Sequence, residues 1–190
     1  EGQGQFDESK PPTFLPMRAR NFLNSKTLLS SLENRWGTEV WEHSLKAMYA
    51  RTELNTTTPT YQNSTVGEQP ILLYQSEIKL NTQNTLTGGV EGGQERAKEP
   101  TLNKRNHGGT FLIHLFKPFE TTELKGGVRL DKYQSLDTQT TFNVGIDQGV
   151  TETTLVHASV GNNFRPPVLS DLFQNTIWQV PNPSLKPEKS

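Results

Sequence analysis

Cysteine is absent from the 190 residues, so neither a disulfide framework nor a Cys-bearing metal or nucleophile site is available. Long apolar runs are missing too. None approaches the roughly 20 residues that a membrane helix needs, which leaves a closed barrel of strands as the one route into a bilayer. Charge of one sign is not in excess: the net charge of -1 offers no footprint for nucleic acid. Hydrophobic residues make up 31% of the chain and mean hydropathy is -0.68, low enough to raise disorder as a competing reading. Catalytic fingerprints are missing as well. No G-x-S-x-G elbow, P-loop or G-x-G-x-x-G run is present, and His43, His107, His114 and His157 stand singly, without metal-ligand spacing. No cofactor site is expected.

What is present is alternation. Apolar and polar residues trade places over stretches of about ten positions, the pattern of a transmembrane barrel strand, in which lipid-facing and lumen-facing positions alternate and halve the apparent hydrophobicity. Residues 1–25 are polar and proline-punctuated and read as loop. Strands are expected over 26–36 and 40–54 about a turn at Gly37-Thr38, with Trp36 and Trp41 flanking that turn where an aromatic girdle would sit. Further hairpins follow: 71–80 with 85–97 about Thr82-Gln83-Asn84, 110–119 with 122–135 about Glu120-Thr121, and 140–150 with 153–161 about Thr151-Glu152. Between them, 55–70 and 98–109 read as long polar loops, the second with Lys104, Arg105 and His107 as a solvated basic cluster.

Beyond Gly161 the chain changes character. Pro166, Pro167, Pro181, Pro183 and Pro187 stiffen it into a shaped connection, within which 168–173 suits a short helical turn. The run NFRPPVLSDLF, which carries Phe164, Arg165 and Pro167, is followed by NPSLKPEKS, which carries Asn182, Pro183, Leu185, Pro187 and Glu188. Together they resemble the "GFRAPSLSELY … NPDLKPEKS" signature of TonB-dependent outer-membrane receptors. Asn163 stands for the usual Gly and Pro166 for the usual Ala. The segment LKGGVRLDKY, 124–133, is similar to a barrel strand of the same family.

The resemblance implies an all-β transmembrane antiparallel β-barrel segment, about eight strands in four hairpins from a larger barrel of about 22 strands. Residues 1–190 would belong to one barrel domain, with 26–161 as strands and loops and 162–190 as an extracellular loop. The chain starts at Glu1 and shows no signal peptide, so it is expected to be an excised segment, with plug and C-terminal strands outside it. The implied function is TonB-energised uptake of a scarce nutrient such as siderophore-iron, cobalamin, haem or an oligosaccharide, across the outer membrane of a Gram-negative bacterium. The implied partners are outer-membrane lipid and lipopolysaccharide, the nutrient ligand, and the TonB complex through the plug; the receptor would be a monomer and not an enzyme. Ligand contacts are expected in the loops, at Tyr61, Phe173 and Trp178. A soluble β-rich binding or adhesion domain, and a barrel-borne hydrolase built from Ser, His and Asp near the rim, stay open on pattern alone.

Overall fold

Short polar interruptions of the alternating pattern make the hairpin turns, and local hydrogen bonds close them. The computed structural model describes residues 22–57, 62–99, 101–134, 136–173 and 180–190. Gly37 takes a φ of 132°, where an added Cβ would strike the Trp41 carbonyl oxygen, so the turn requires glycine. The Thr38 amide donates to the Trp41 carbonyl at 2.8 Å, and the Trp41 amide donates to the Thr38 hydroxyl at 3.1 Å. One hairpin later Asn81 Oδ1 accepts from the amides of Gln83 at 2.9 Å and Asn84 at 2.8 Å.

The strands are β1 (Phe22–Gly37), β2 (Trp41–Thr57), β3 (Gln62–Lys79), β4 (Asn84–Glu99), β5 (Thr101–Phe119), β6 (Thr122–Tyr133), β7 (Gln139–Thr151) and β8 (Thr154–Gly161). They form one antiparallel 8-stranded sheet in sequence order, open at β1 and β8. Beyond it, β9 (Phe164–Arg165) pairs with β10 (Glu188–Lys189), and α1 (Leu169–Phe173) lies between them in sequence.

Two expectations need correction. The stretches 55–70 and 98–109 are not long loops: β2 runs to Thr57, β3 starts at Gln62, and β5 starts at Thr101. Crossing a bilayer takes only about 9–11 residues of tilted strand. With 17, 18 and 19 residues, β2, β3 and β5 therefore extend well beyond that length as paired hairpins. Both faces of such an extension carry polar and charged residues, so its sequence loses the apolar alternation and reads as loop. Similarly, β1 begins at Phe22 rather than at 26.

Residues opposite one another across a ladder share a face, so the register sorts every side chain. One face carries Leu32, Leu45, Leu72, Val90, Leu112, Val128, Phe142 and Val160, large apolar groups left exposed. At the end with the short turns this face also holds an aromatic cluster. Trp36 stacks on His43 at 5.6 Å, His43 on Tyr74 at 6.1 Å, and Trp41 Nε1 donates to Ser76 Oγ at 2.7 Å. The opposite face is charged: Arg129 bonds Glu91 at 3.0 Å and Asp131 at 2.7 Å, and Lys125 bonds Asp147 at 2.9 Å. An apolar island of Ile71, Leu73, Phe111 and Ile113 interrupts it. No conventional core exists among the described residues; Leu169 and Leu172, both on α1, are the only buried apolar side chains there.

Strand glycines on the charged face make room for bulky neighbours. A Cβ on Gly93 would meet the His107 ring and lie 2.9 Å from the Pro70 carbonyl oxygen, whereas one on Gly92, facing the other way, meets nothing within 4 Å. Gly93→Ala is therefore expected to destabilise the full-length protein by roughly 1–3 kcal/mol through overpacking. Gly92→Ala is expected to stay within about 0.5 kcal/mol of neutral. Urea unfolding of the two variants, with equal midpoints, would contradict this register.

Candidate functional site

A site on this sheet has to be built where the backbone leaves its ladder, and that happens after β8. Asn162 continues the pairing by side chain, its Oδ1 accepting from the Phe142 amide at 2.7 Å. Asn163 then exchanges backbone hydrogen bonds with Ser190 at 2.9 and 3.1 Å, next to the β9–β10 pair. The two halves of the signature thus clasp each other, and the described residues between them, 166–173 and 180–187, form a strap. Inside it the Asn182 amide donates to the Asp171 carbonyl at 3.0 Å, and Asn182 Oδ1 accepts from the Ser184 amide at 3.1 Å. Prolines suit these positions because the extended and turn geometry they impose leaves few backbone amides in need of partners.

The strap lies on the charged face, over the far ends of β4, β5 and β6, and one arginine anchors it. Arg105 is 4% exposed. Its Nε donates to Glu95 Oε2 at 3.0 Å, its Nη1 donates to the Pro167 carbonyl at 2.8 Å, and its guanidinium sits 5.0 Å over the Tyr133 ring. Tyr133 in turn stacks on His107 at 5.3 Å and meets Phe164 of β9 edge-on at 6.1 Å. The planar guanidinium serves a carboxylate, a carbonyl and a ring together, which an ammonium cannot do. Leu169 and Leu172 bury themselves beside this anchor as α1 packs on β4 and β5.

Strap and sheet border an open groove of about 490 Å³, lined on the sheet side by Thr52, Gln69, Glu95 and Arg105 and on the other by Arg165 of β9 and Val168 of the strap. Cationic, carboxylate and hydroxyl groups converge there beside apolar walls, an arrangement suited to holding a polar or charged guest.

Of the residues expected to form a site, Tyr61 and Trp178 lie outside the described residues. Phe173 ends α1, 45% exposed, in a small cleft with Leu136, Leu172 and Pro183. Phe164 and Arg165 form β9, in register with Lys189 and Glu188; Pro167 gives its carbonyl to Arg105; Asn182 braces the strap. Pro183, Leu185 and Pro187 face Leu136 and Gln139 across a second cleft. Arg105 and His107 are a correction: they are not a solvated run with Lys104 but turn onto the strap side, while Lys104 faces the other way. The signal was their two-residue spacing, which means one face once 101–119 is a strand.

Arg105→Ala removes all three anchors and strands the Glu95 carboxylate, a change of the size seen when a buried ion pair is broken, about 3–5 kcal/mol. The expected outcome is a released strap: limited proteolysis of the full-length protein should cut within 166–187 far faster, and Arg105→Lys should rescue this only partly. Unchanged cleavage would mean that Arg105 does not hold the strap.

The geometry agrees with what is known of other proteins. Vitamin B12 transporter BtuB of Photobacterium profundum is 25% identical over 128 residues, 65% of this chain and 20% of the transporter. Among solved structures, the siderophore receptor PirA from Pseudomonas aeruginosa superposes with a TM-score of 0.74 at 17% identity, covering 89% of this chain and 35% of PirA. The copper transporter OprC superposes at 0.60 with 15% identity, covering 88% of this chain and 34% of OprC. At such identities the structures share the fold, and this chain spans between a fifth and about a third of these relatives. The family described as TonB dependent receptor-like, beta-barrel matches residues 4–190, so an antiparallel sheet with one apolar and one charged face, clasped by a signature strap, is part of its barrel, and the chain belongs to that family.

Proposed function

We propose that this chain is one wall of the barrel domain of an outer-membrane receptor that takes up a scarce nutrient with energy from the TonB complex. The family's members are receptors and transporters, not enzymes. The observation that supports this reading best is the sorting of side chains by register. The exposed apolar face suits lipid, and the charged face with its strap suits a barrel interior through which a ligand passes. The open edges β1 and β8 would pair with neighbouring strands of the complete barrel, as a sheet with bare edges is prone to aggregate.

The guest we infer is a metal-bearing nutrient: relatives of this fold are named for vitamin B12, siderophores and copper. Haem belongs to the same chemical class, and an oligosaccharide is the other guest that a groove of polar groups beside apolar walls would suit. In this reading the groove beneath the strap offers Arg165, Thr52 and Gln69 to the guest, and Phe173, Trp178 and Tyr61 supply aromatic contacts. The strap orients the wall of the passage; Arg105 holds the strap rather than the guest. TonB would act through a plug, and lipid and lipopolysaccharide would surround a monomeric barrel.

In the full-length receptor Val128→Arg, which puts a charge on the apolar face, should cost about 2–4 kcal/mol of stability in bilayers, while Gln75→Arg on the charged face should cost little. Equal costs would point instead to a soluble β-rich domain. Growth on a limiting nutrient should require both the receptor and an intact TonB complex, and uptake that persists without TonB would refute the proposal. Alanine at Phe173, Trp178 and Tyr61 together should weaken ligand binding about tenfold, the scale of an aromatic contact residue.

A further inference from the structure

A segment that opens and closes over a site is held by few buried contacts, because each of them is given up when it moves. The strap is the opposite case. Among the described residues five side chains are buried, Arg105, Asp131, Gln139, Leu169 and Leu172, and four of the five hold the strap or belong to it. Leu169 and Leu172 are its own, and Arg105 grips it through the Pro167 carbonyl at 2.8 Å. Gln139 lies where Pro183, Leu185 and Pro187 face the sheet across the second cleft. The packing that the rest of the wall lacks is concentrated on this one connection.

A lid also needs a hinge, and neither end of the strap supplies one. At its start the Asn162 side chain accepts from the Phe142 amide at 2.7 Å and donates to the Thr140 carbonyl at 3.3 Å, which ties the departing chain to β7. At its end Ser190 exchanges two backbone hydrogen bonds with Asn163, and Lys189 and Glu188 continue that ladder on Phe164 and Arg165. Entry and exit are one point of the fold. Between them the Asp171 carbonyl accepts the Asn182 amide at 3.0 Å, and Pro166 and Pro167 stiffen the crossing from the clasp to Arg105. The wall across the groove is ladder too: Thr52 pairs with Gly67 and Glu95 with Arg105, and the hairpins run on to Thr57 opposite Gln62 and Glu99 opposite Thr101.

We propose that the groove is a preformed binding site and that the strap is a permanent part of its wall, which stays shut while a guest binds and while it passes. The inference rests on the uptake reading above and adds how the site selects. Selection is by a fixed outline and by the fixed place of Arg165 on the β9–β10 pair, with no rearrangement to fit the guest. Binding then orders little of the protein, and guests are told apart by what the groove already is. The way onward runs beside the strap, not through a space made by opening it.

The test locks the clasp. Asn163 and Ser190 form a hydrogen-bonded antiparallel pair, whose Cα atoms lie about 5.5 Å apart in such ladders, a span that a disulfide bridges. No cysteine of this chain competes. Cells carrying the full-length receptor with Asn163→Cys/Ser190→Cys are supplied with cyanocobalamin, a ferric siderophore complex or a copper salt as the limiting nutrient. For whichever of these the wild-type receptor takes up, uptake with the pair oxidised and with it reduced should agree within about twofold, since no step requires the clasp to part. Uptake lost on oxidation and regained on reduction overturns the proposal. Hydrogen exchange of the wild-type receptor gives a second reading that needs no guest and no variant. The amides of Asn163, Leu172, Asn182 and Ser190 should exchange as slowly as those of β4 and β5, and exchange about a hundredfold faster overturns the proposal as well. A wild-type receptor that takes up none of the three, or does so without TonB, sinks the uptake reading instead, and the exchange rates then decide the strap by themselves.

Discussion

The constraint on which everything else depends is the antiparallel ladder. Over most of their length β2 to β7 pair on both sides with a neighbouring strand, and β1 and β8 pair on one side, so the ladder rather than a buried core holds the sheet together. This accounts for a protein whose buried apolar side chains, among the described residues, come to Leu169 and Leu172. Large apolar groups such as Leu112 and Phe142 stay exposed because their solvent is lipid, and low overall hydrophobicity follows once half of the strand positions face a polar interior.

Because the ladder has a period of two, it also distributes charge. Glu91, Arg129 and Asp131 can cluster on one face only if no odd insertion shifts their strands. That face is where the strap docks, since it is the face with groups able to hold it. A backbone that turns out of a sheet must satisfy its own carbonyls, and Pro167 does so on Arg105, which Glu95 and Tyr133 hold in place. The strap is thus held by the same polar groups that line the interior, while the groove beneath it mixes those groups with apolar walls from Ala50, Ala97, Val168 and Leu169.

Much of this could be read from the sequence where local chemistry decides structure. The turn at Gly37 needs a residue free to adopt positive φ, Asn81 to Asn84 is rich in side chains that bond their own backbone, and 168–173 does form a helical turn. The apolar alternation of 124–130 marks its faces because lipid lies on one side. Above the membrane that signal vanishes. Residues 62–68 and 101–106 lack the apolar alternation, because the face that is apolar lower down carries polar and charged groups there, so nothing in their composition distinguishes a paired strand from a loop, and both read as loop.

The separation of Arg105 from Lys104 was hidden for the same reason. Adjacent basic residues look like one solvated cluster until strand geometry points them to opposite faces, one 4% exposed beneath a strap and one on the outer rim. The sequence by itself determined the class of the fold, the hairpin turns and, through the proline-bracketed signature, the family, because those depend on local propensity and on order along the chain. Tertiary structure alone decided how far the strands reach, that the halves of the signature pair with each other, and that Arg105 joins strap to wall. Those depend on contacts between residues distant in sequence, Arg105 and Pro167 being 62 positions apart, and no local pattern encodes such a meeting.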